Sequence, residues 1–128
     1  MSQLDYDQVI ENYNKAKSFP TTTAEKPKPE GYIFDEDKSV KWNREELERY
    51  NENIRAERNR LRAAYYEALQ NAELDIIAFL HSEWPVFSES KISKLYQKVF
   101  NSVYDRTYQI ADVIDECEEY LEIFSASN

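Results

Sequence analysis

Side chains able to do acid–base, nucleophilic or metal chemistry are scarce in this chain. There is one histidine, His81, and one cysteine, Cys117. A single His leaves no multi-histidine metal site. It also leaves no Glu-x-x-His pair, because Ala78 stands where the glutamate would be. His81 falls near the end of a helical stretch, where it suits the helix dipole or a hinge. Cys117 is flanked by Asp115, Glu116, Glu118 and Glu119, and such anions raise a thiol pKa and suppress its reactivity. Its place in an apolar row makes it a core residue. Ser88 and Ser90 read as helix caps, and Gly31 alone cannot build a phosphate-cradling loop. Asp35-Glu36-Asp37-Lys38-Ser39, with Glu46 at the twelfth position, has the outline of a calcium loop. Val40 stands where that loop needs Gly, however, and a Pro-rich segment replaces the incoming helix. No catalytic, cofactor-binding or metal-binding residue is assigned. The expectation is a protein that is not an enzyme and carries no cofactor.

The remaining chemistry is charge. Asp112, Asp115, Glu116, Glu118, Glu119 and Glu122 form an acidic run with no Lys or Arg after Arg106. On a helix, Asp112, Glu116 and Glu119 share one side, while Asp115, Glu118 and Glu122 share another. Two readings follow. Either the run pairs with Arg55, Arg58 and Arg62 across a helical hairpin, or one row mimics nucleic-acid phosphates and docks in a basic groove of a partner. Fold the chain back at Pro85 and blocks of opposite sign meet, Arg58 roughly level with Asp115 and Asp75 with Lys98 at about 1.5 Å per residue. The candidate partner-binding residues are Asp112, Glu116, Glu119 and Glu122, with Tyr104, Tyr108 and Tyr120.

Composition bounds the rest. The chain has 128 residues, one domain's length, with a net charge of −9. That balance argues against direct binding of nucleic acid or an anionic membrane, which needs clustered Lys and Arg. It favours a protein partner that is basic and handles nucleic acid. One Cys is consistent with a reducing cytoplasm. No secretory signal is expected at the N-terminus, and no apolar stretch approaches the roughly 18 residues of a membrane span.

A single Gly means few tight turns, hence few and long elements, which must be helices. The fold class expected is all-α: a short N-terminal helix, a Pro-rich extended connector and a long antiparallel helical hairpin. As one domain, it divides into residues 1–19, 20–42 and 43–128. Tyr6, Val9, Ile10 and Tyr13 give the first helix its apolar spacing over residues 3–17, with Ser2 and Asp5 as a capping box. Pro20, Pro27 and Pro29 stiffen the connector. Tyr32, Ile33 and Phe34 are apolar enough to be pinned on the helices, with Trp42. Asn43 is the expected N-cap of the second helix, with Glu46 closing the box. Its seam is Leu47, Tyr50, Ile54, Leu61, Tyr65, Leu69, Ala72, Ile76 and Phe79. The last helix opens near Ser88 or Ser90, with the seam Ile92, Leu95, Val99, Val103, Ile110, Ile114, Cys117, Leu121 and Phe124. A kink is expected at Asn71 or at residues 101–105.

Those seams leave apolar residues over: Tyr66, Leu74, Ile77 and Leu80 on one arm, and Tyr96, Phe100, Tyr104, Val113, Tyr120 and Ile123 on the other. Two helices cannot bury both faces on each other, so a third body must cover the rest, either the N-terminal helix or a second copy in a homodimer. Ten tyrosines suit surfaces that are half buried and end in water.

The stretch Gly31-Tyr32-Ile33-Phe34-Asp35-Glu36-Asp37-Lys38-Ser39-Val40-Lys41-Trp42-Asn43-Arg44-Glu45-Glu46, running into a charged helix, resembles segments in small acidic helical accessory proteins of phages of Gram-positive bacteria. That class includes acidic inhibitors of host nucleases and defence systems, anti-CRISPR proteins among them. The resemblance implies a non-enzymatic protein that acts by occlusion, and it assigns a role to no residue. The function expected is therefore a protein-binding inhibitor or regulator. The alternative is a structural or assembly adaptor whose aromatic helix faces make the contacts.

Overall fold

A computed structural model describes residues 4–103 and 108–127. The described chain is all-α and contains no strand: α1 (Tyr6–Lys17), α2 (Val40–Glu83), α3 (Glu89–Val103) and α4 (Ile110–Ala126). Two compact units divide it. One takes the residues up to Ser18 and those from Ala68 onward, the other residues 19–67.

In the first unit, Asp5 starts α1 by accepting a hydrogen bond from the Gln8 N–H at 2.8 Å. The helix thus begins at Tyr6, three residues inside the expected start, and Ser2 lies outside the described residues. After α2, Trp84 to Phe87 makes the turn, with the Phe87 N–H on the Trp84 carbonyl. Ser88 then caps α3 by accepting from the Lys91 N–H. The second arm of the hairpin is interrupted. α3 ends at Val103, Gln109 is extended, and α4 opens at Ile110.

The ring of Phe87 meets Phe124 at one end and Phe100 meets Tyr108 at the other, so α4 returns antiparallel along α3. Tyr6 bonds Asp115 and Tyr13 bonds Tyr108, which sets α4 antiparallel to α1 as well. The core lies among these helices: Val9 and Tyr13 of α1, Ile76 and Leu80 of α2, Ile92 and Tyr96 of α3, Ile114, Cys117 and Leu121 of α4. α1 is thus the third body that the surplus apolar residues require. Of the surplus residues, Ile77, Leu80, Tyr96 and Val113 are buried in the core that the four helices share, while Tyr66, Leu74, Tyr120 and Ile123 remain exposed.

The return of α4 along α3 brings Asp115 to the Tyr6 hydroxyl, from which it accepts a hydrogen bond. Among the described residues the ion pairs are Arg49–Glu46 and Arg60–Glu57, both one turn apart within α2.

In the second unit, α2 begins at Val40 and not after Asn43. Ser39 is its cap, accepting from the Trp42 N–H at 3.0 Å. Asn43 is buried instead, at 7% exposure, and its amide ties down the preceding loop. Its oxygen accepts from the Phe34 and Asp35 N–H groups, and its nitrogen donates to the Asp35 and Ser39 carbonyls. The apparent calcium loop is a turn in which Asp35 Oδ1 accepts from the Asp37 N–H. Gly31 has φ +83°, and the Tyr32 N–H reaches the Pro29 carbonyl, the arrangement of a type II turn that only Gly enters without strain. Phe34 packs on Tyr50 of α2, whereas Ile33 is 59% exposed and is not pinned. α2 runs unbroken through Asn71.

Candidate protein-binding face

The outer side of α4 follows from its inner side. Ile110, Val113, Ile114, Cys117 and Leu121 are buried, with at most 2% exposure, and fix the helix's rotation. The remaining positions are turned outward to varying degrees, and half of them are acids. Asp112, Asp115, Glu116 and Glu119 line an open groove of about 420 Å³ together with Tyr120 and Ile123. The row of Asp112, Glu116 and Glu119 is thus joined on one surface by Asp115 from the other row. Glu122 is exposed on the same helix but is not part of that lining.

A second open groove, about 710 Å³, adjoins it through Asp115. It is lined by Leu4, Asp5, Tyr6, Phe79, Ser82, Glu83, Asp115 and Glu118. Here the Tyr6 hydroxyl donates to Asp115 at 2.7 Å. Partial burial, that hydrogen bond and the Asp115 charge push the Tyr6 pKa up to about 12. Glu118 is raised by burial first, then by the charges of Asp115 and Glu83. No described Lys or Arg forms an ion pair with any acid of α4. The face is thus a set of carboxylates of which Glu118, the most enclosed by burial and by the charges of Asp115 and Glu83, holds its proton more tightly.

The tyrosines divide. Tyr120 lies among the acids, 41% exposed and stacked on Phe124. Tyr108 is placed elsewhere. Its hydroxyl shares a 2.8 Å hydrogen bond with that of Tyr13, its ring meets Phe100, and the Lys17 ammonium sits over it. Tyr104 lies outside the described residues. Tyr6, Glu83 and Glu118 belong to the acidic surface although sequence spacing does not single them out. Glu83 and Tyr6 come from other helices, and no sequence signal marks their approach. Glu118 is excluded from the row of Asp112, Glu116 and Glu119 by spacing alone.

The thiol of Cys117 is fully buried, and burial, with Glu116 and Glu118, pushes its pKa up to about 12. That is the state of an inert core thiol. Among the described residues no three His, Cys, Asp or Glu side chains converge as a metal site, and no helix is long and apolar enough to cross a membrane. Family models, curated proteins and solved structures yield no match to this chain.

Proposed function

We propose that the protein is a non-catalytic binding module, an inhibitor or regulator of the phage anti-CRISPR kind that occludes a basic, nucleic-acid-handling protein in the cytoplasm. The observation that carries the reading is the outer face of α4, where Asp112, Asp115, Glu116 and Glu119 line one groove without an ion pair to any described cation. Carboxylates whose charge no ion pair neutralises raise the local negative potential and steer a basic surface at long range. Tyr120 and Ile123 in the same groove supply apolar area that desolvates such a contact.

A second reading is favoured by the exposed Tyr120, Ile123 and Phe124 at the C-terminal end of α4. In an adaptor, or in a homodimer, these side chains make the contact and the acids only surround it. Pull-down from the native host identifies the partner. Converting Asp112, Glu116 and Glu119 together to their amides then weakens binding at least tenfold and flattens its salt dependence if phosphate mimicry operates. Binding that survives this change but is lost in Tyr120→Ala and Ile123→Ala establishes the adaptor.

A further inference from the structure

Among the described residues four lysines sit over aromatic rings, and one differs from the rest. Lys17 and Lys38 each face a single ring, at 5.6 and 5.8 Å, and Lys91 faces two. Lys28 faces three: Tyr32 at 4.2 Å, Tyr50 at 5.0 Å and Phe34 at 5.5 Å. The rings stand as walls. Tyr32 and Phe34 meet at 76° with centroids 5.0 Å apart, and Phe34 and Tyr50 at 62° and 5.7 Å. Among the described residues no acceptor takes a hydrogen bond or forms an ion pair with the Lys28 ammonium. The rings alone hold it.

The backbone of Lys28 is fastened independently. Its N–H donates to Asn51 Oδ1 at 2.8 Å and its carbonyl accepts from Asn51 Nδ2 at 3.0 Å. The connector is therefore held by an amide, and the flexible lysine stem fills the cage as a tethered occupant that can swing out. An ammonium that gives no N–H donor to a protein acceptor is chemically replaceable by one that has none. Three π faces around a cation are the recognition chemistry of quaternary ammonium groups. At the cage, the Tyr50 hydroxyl donates to Glu25 at 2.9 Å, which sets a carboxylate beside it. That charge favours a cation without its own carboxylate.

We propose that Tyr32, Phe34 and Tyr50 form a binding site for small quaternary ammonium cations that carry no carboxylate, such as choline and tetramethylammonium, with Lys28 as a built-in competitor. The site belongs to the second unit and shares no residue with the acidic face of α4, so it stands or falls apart from the proposed function. The test is an NMR titration of the full chain with tetramethylammonium, choline and glycine betaine, following the Tyr and Phe ring signals. The Asn51 side-chain amide reports whether the connector stays clamped. We expect Lys28→Ala to bind choline and tetramethylammonium at least about tenfold more tightly than the wild type. Glycine betaine should bind more weakly than choline, and Tyr32→Leu with Tyr50→Leu in the Lys28→Ala background should abolish binding. Equal affinity of wild type and Lys28→Ala overturns the proposal, as does binding that survives loss of both tyrosines. Betaine binding as tightly as choline overturns the ligand class. Should Lys28→Ala release the Asn51 clamp, Lys28→Met keeps the stem and takes its place. Release of the clamp in both variants shows the ammonium to be a structural strut, which also overturns the proposal.

Discussion

Tyr96 is fully buried yet keeps its hydroxyl satisfied, donating to Glu73 Oε2 at 2.8 Å. Burial, followed by the Glu73 charge and hydrogen bond, raises its pKa. A bond to a charged acceptor contributes about 1.5–3 kcal/mol, so Tyr96→Phe should lower stability by that amount in urea unfolding. Glu73→Gln should cost less, because the amide oxygen still accepts. Asn43 makes a comparable case in the other unit. Asn43→Ala removes four hydrogen bonds from a buried position and should speed amide exchange at Phe34 and Asp35.

Glu118 has the opposite sense from a paired acid. Its folded pKa lies above the unfolded one, so its contribution to stability is present at low pH and is lost as pH rises through the folded value. Mild acidification from neutrality should therefore raise the melting temperature through this group. Glu118→Gln should abolish that increment and stabilise the neutral protein by up to about 0.5 kcal/mol, given screening at a partly exposed site.

At the scale of elements, the all-helical class was legible because one Gly and two breaker-free periodic stretches leave little else. The reversal between α3 and α4 was not. A chain that turns back without Gly or Pro keeps its 3.6-residue period on both sides, so Ile92 to Leu121 reads alike as one helix or as two. The kink expected at residues 101–105 hinted at an interruption, but not at a reversal. The start of α2 illustrates a second limit. Asn43 and Glu46 have the residue types of a capping box, yet Ser39 caps, because Asn43 does more as a buried amide bracing the loop. The candidate site was legible as a row on α4, since helical spacing fixes which acids face outward. Its second half, from Tyr6 and Glu83, depends on tertiary approach that no local pattern encodes. Gly31 provides an element-level test. A methyl group added at its Cα would meet nothing within 4 Å, so Gly31→Ala encounters only backbone strain at φ +83°. It should cost about 1 kcal/mol, the usual penalty of a left-handed non-Gly residue, and loosen the 29–32 turn.

At the scale of the whole molecule, the apolar core belongs to one unit, whereas the other buries little beyond Leu47, Ile54 and Asn43. Local stability follows local burial. Amides of residues 43–60 should therefore exchange faster than those of residues 110–121, and limited proteolysis should cut within residues 19–67 first. Cys117 gives the molecule a clock. Its sulfur is sealed in the centre of that core and its proton is held to about pH 12, so a disulfide reagent reaches it only when the helices part. Its labelling rate in native buffer then reads the opening equilibrium directly. A partner that grips α4 should slow this rate in proportion to its occupancy, which turns the one thiol into a binding assay needing no engineered label.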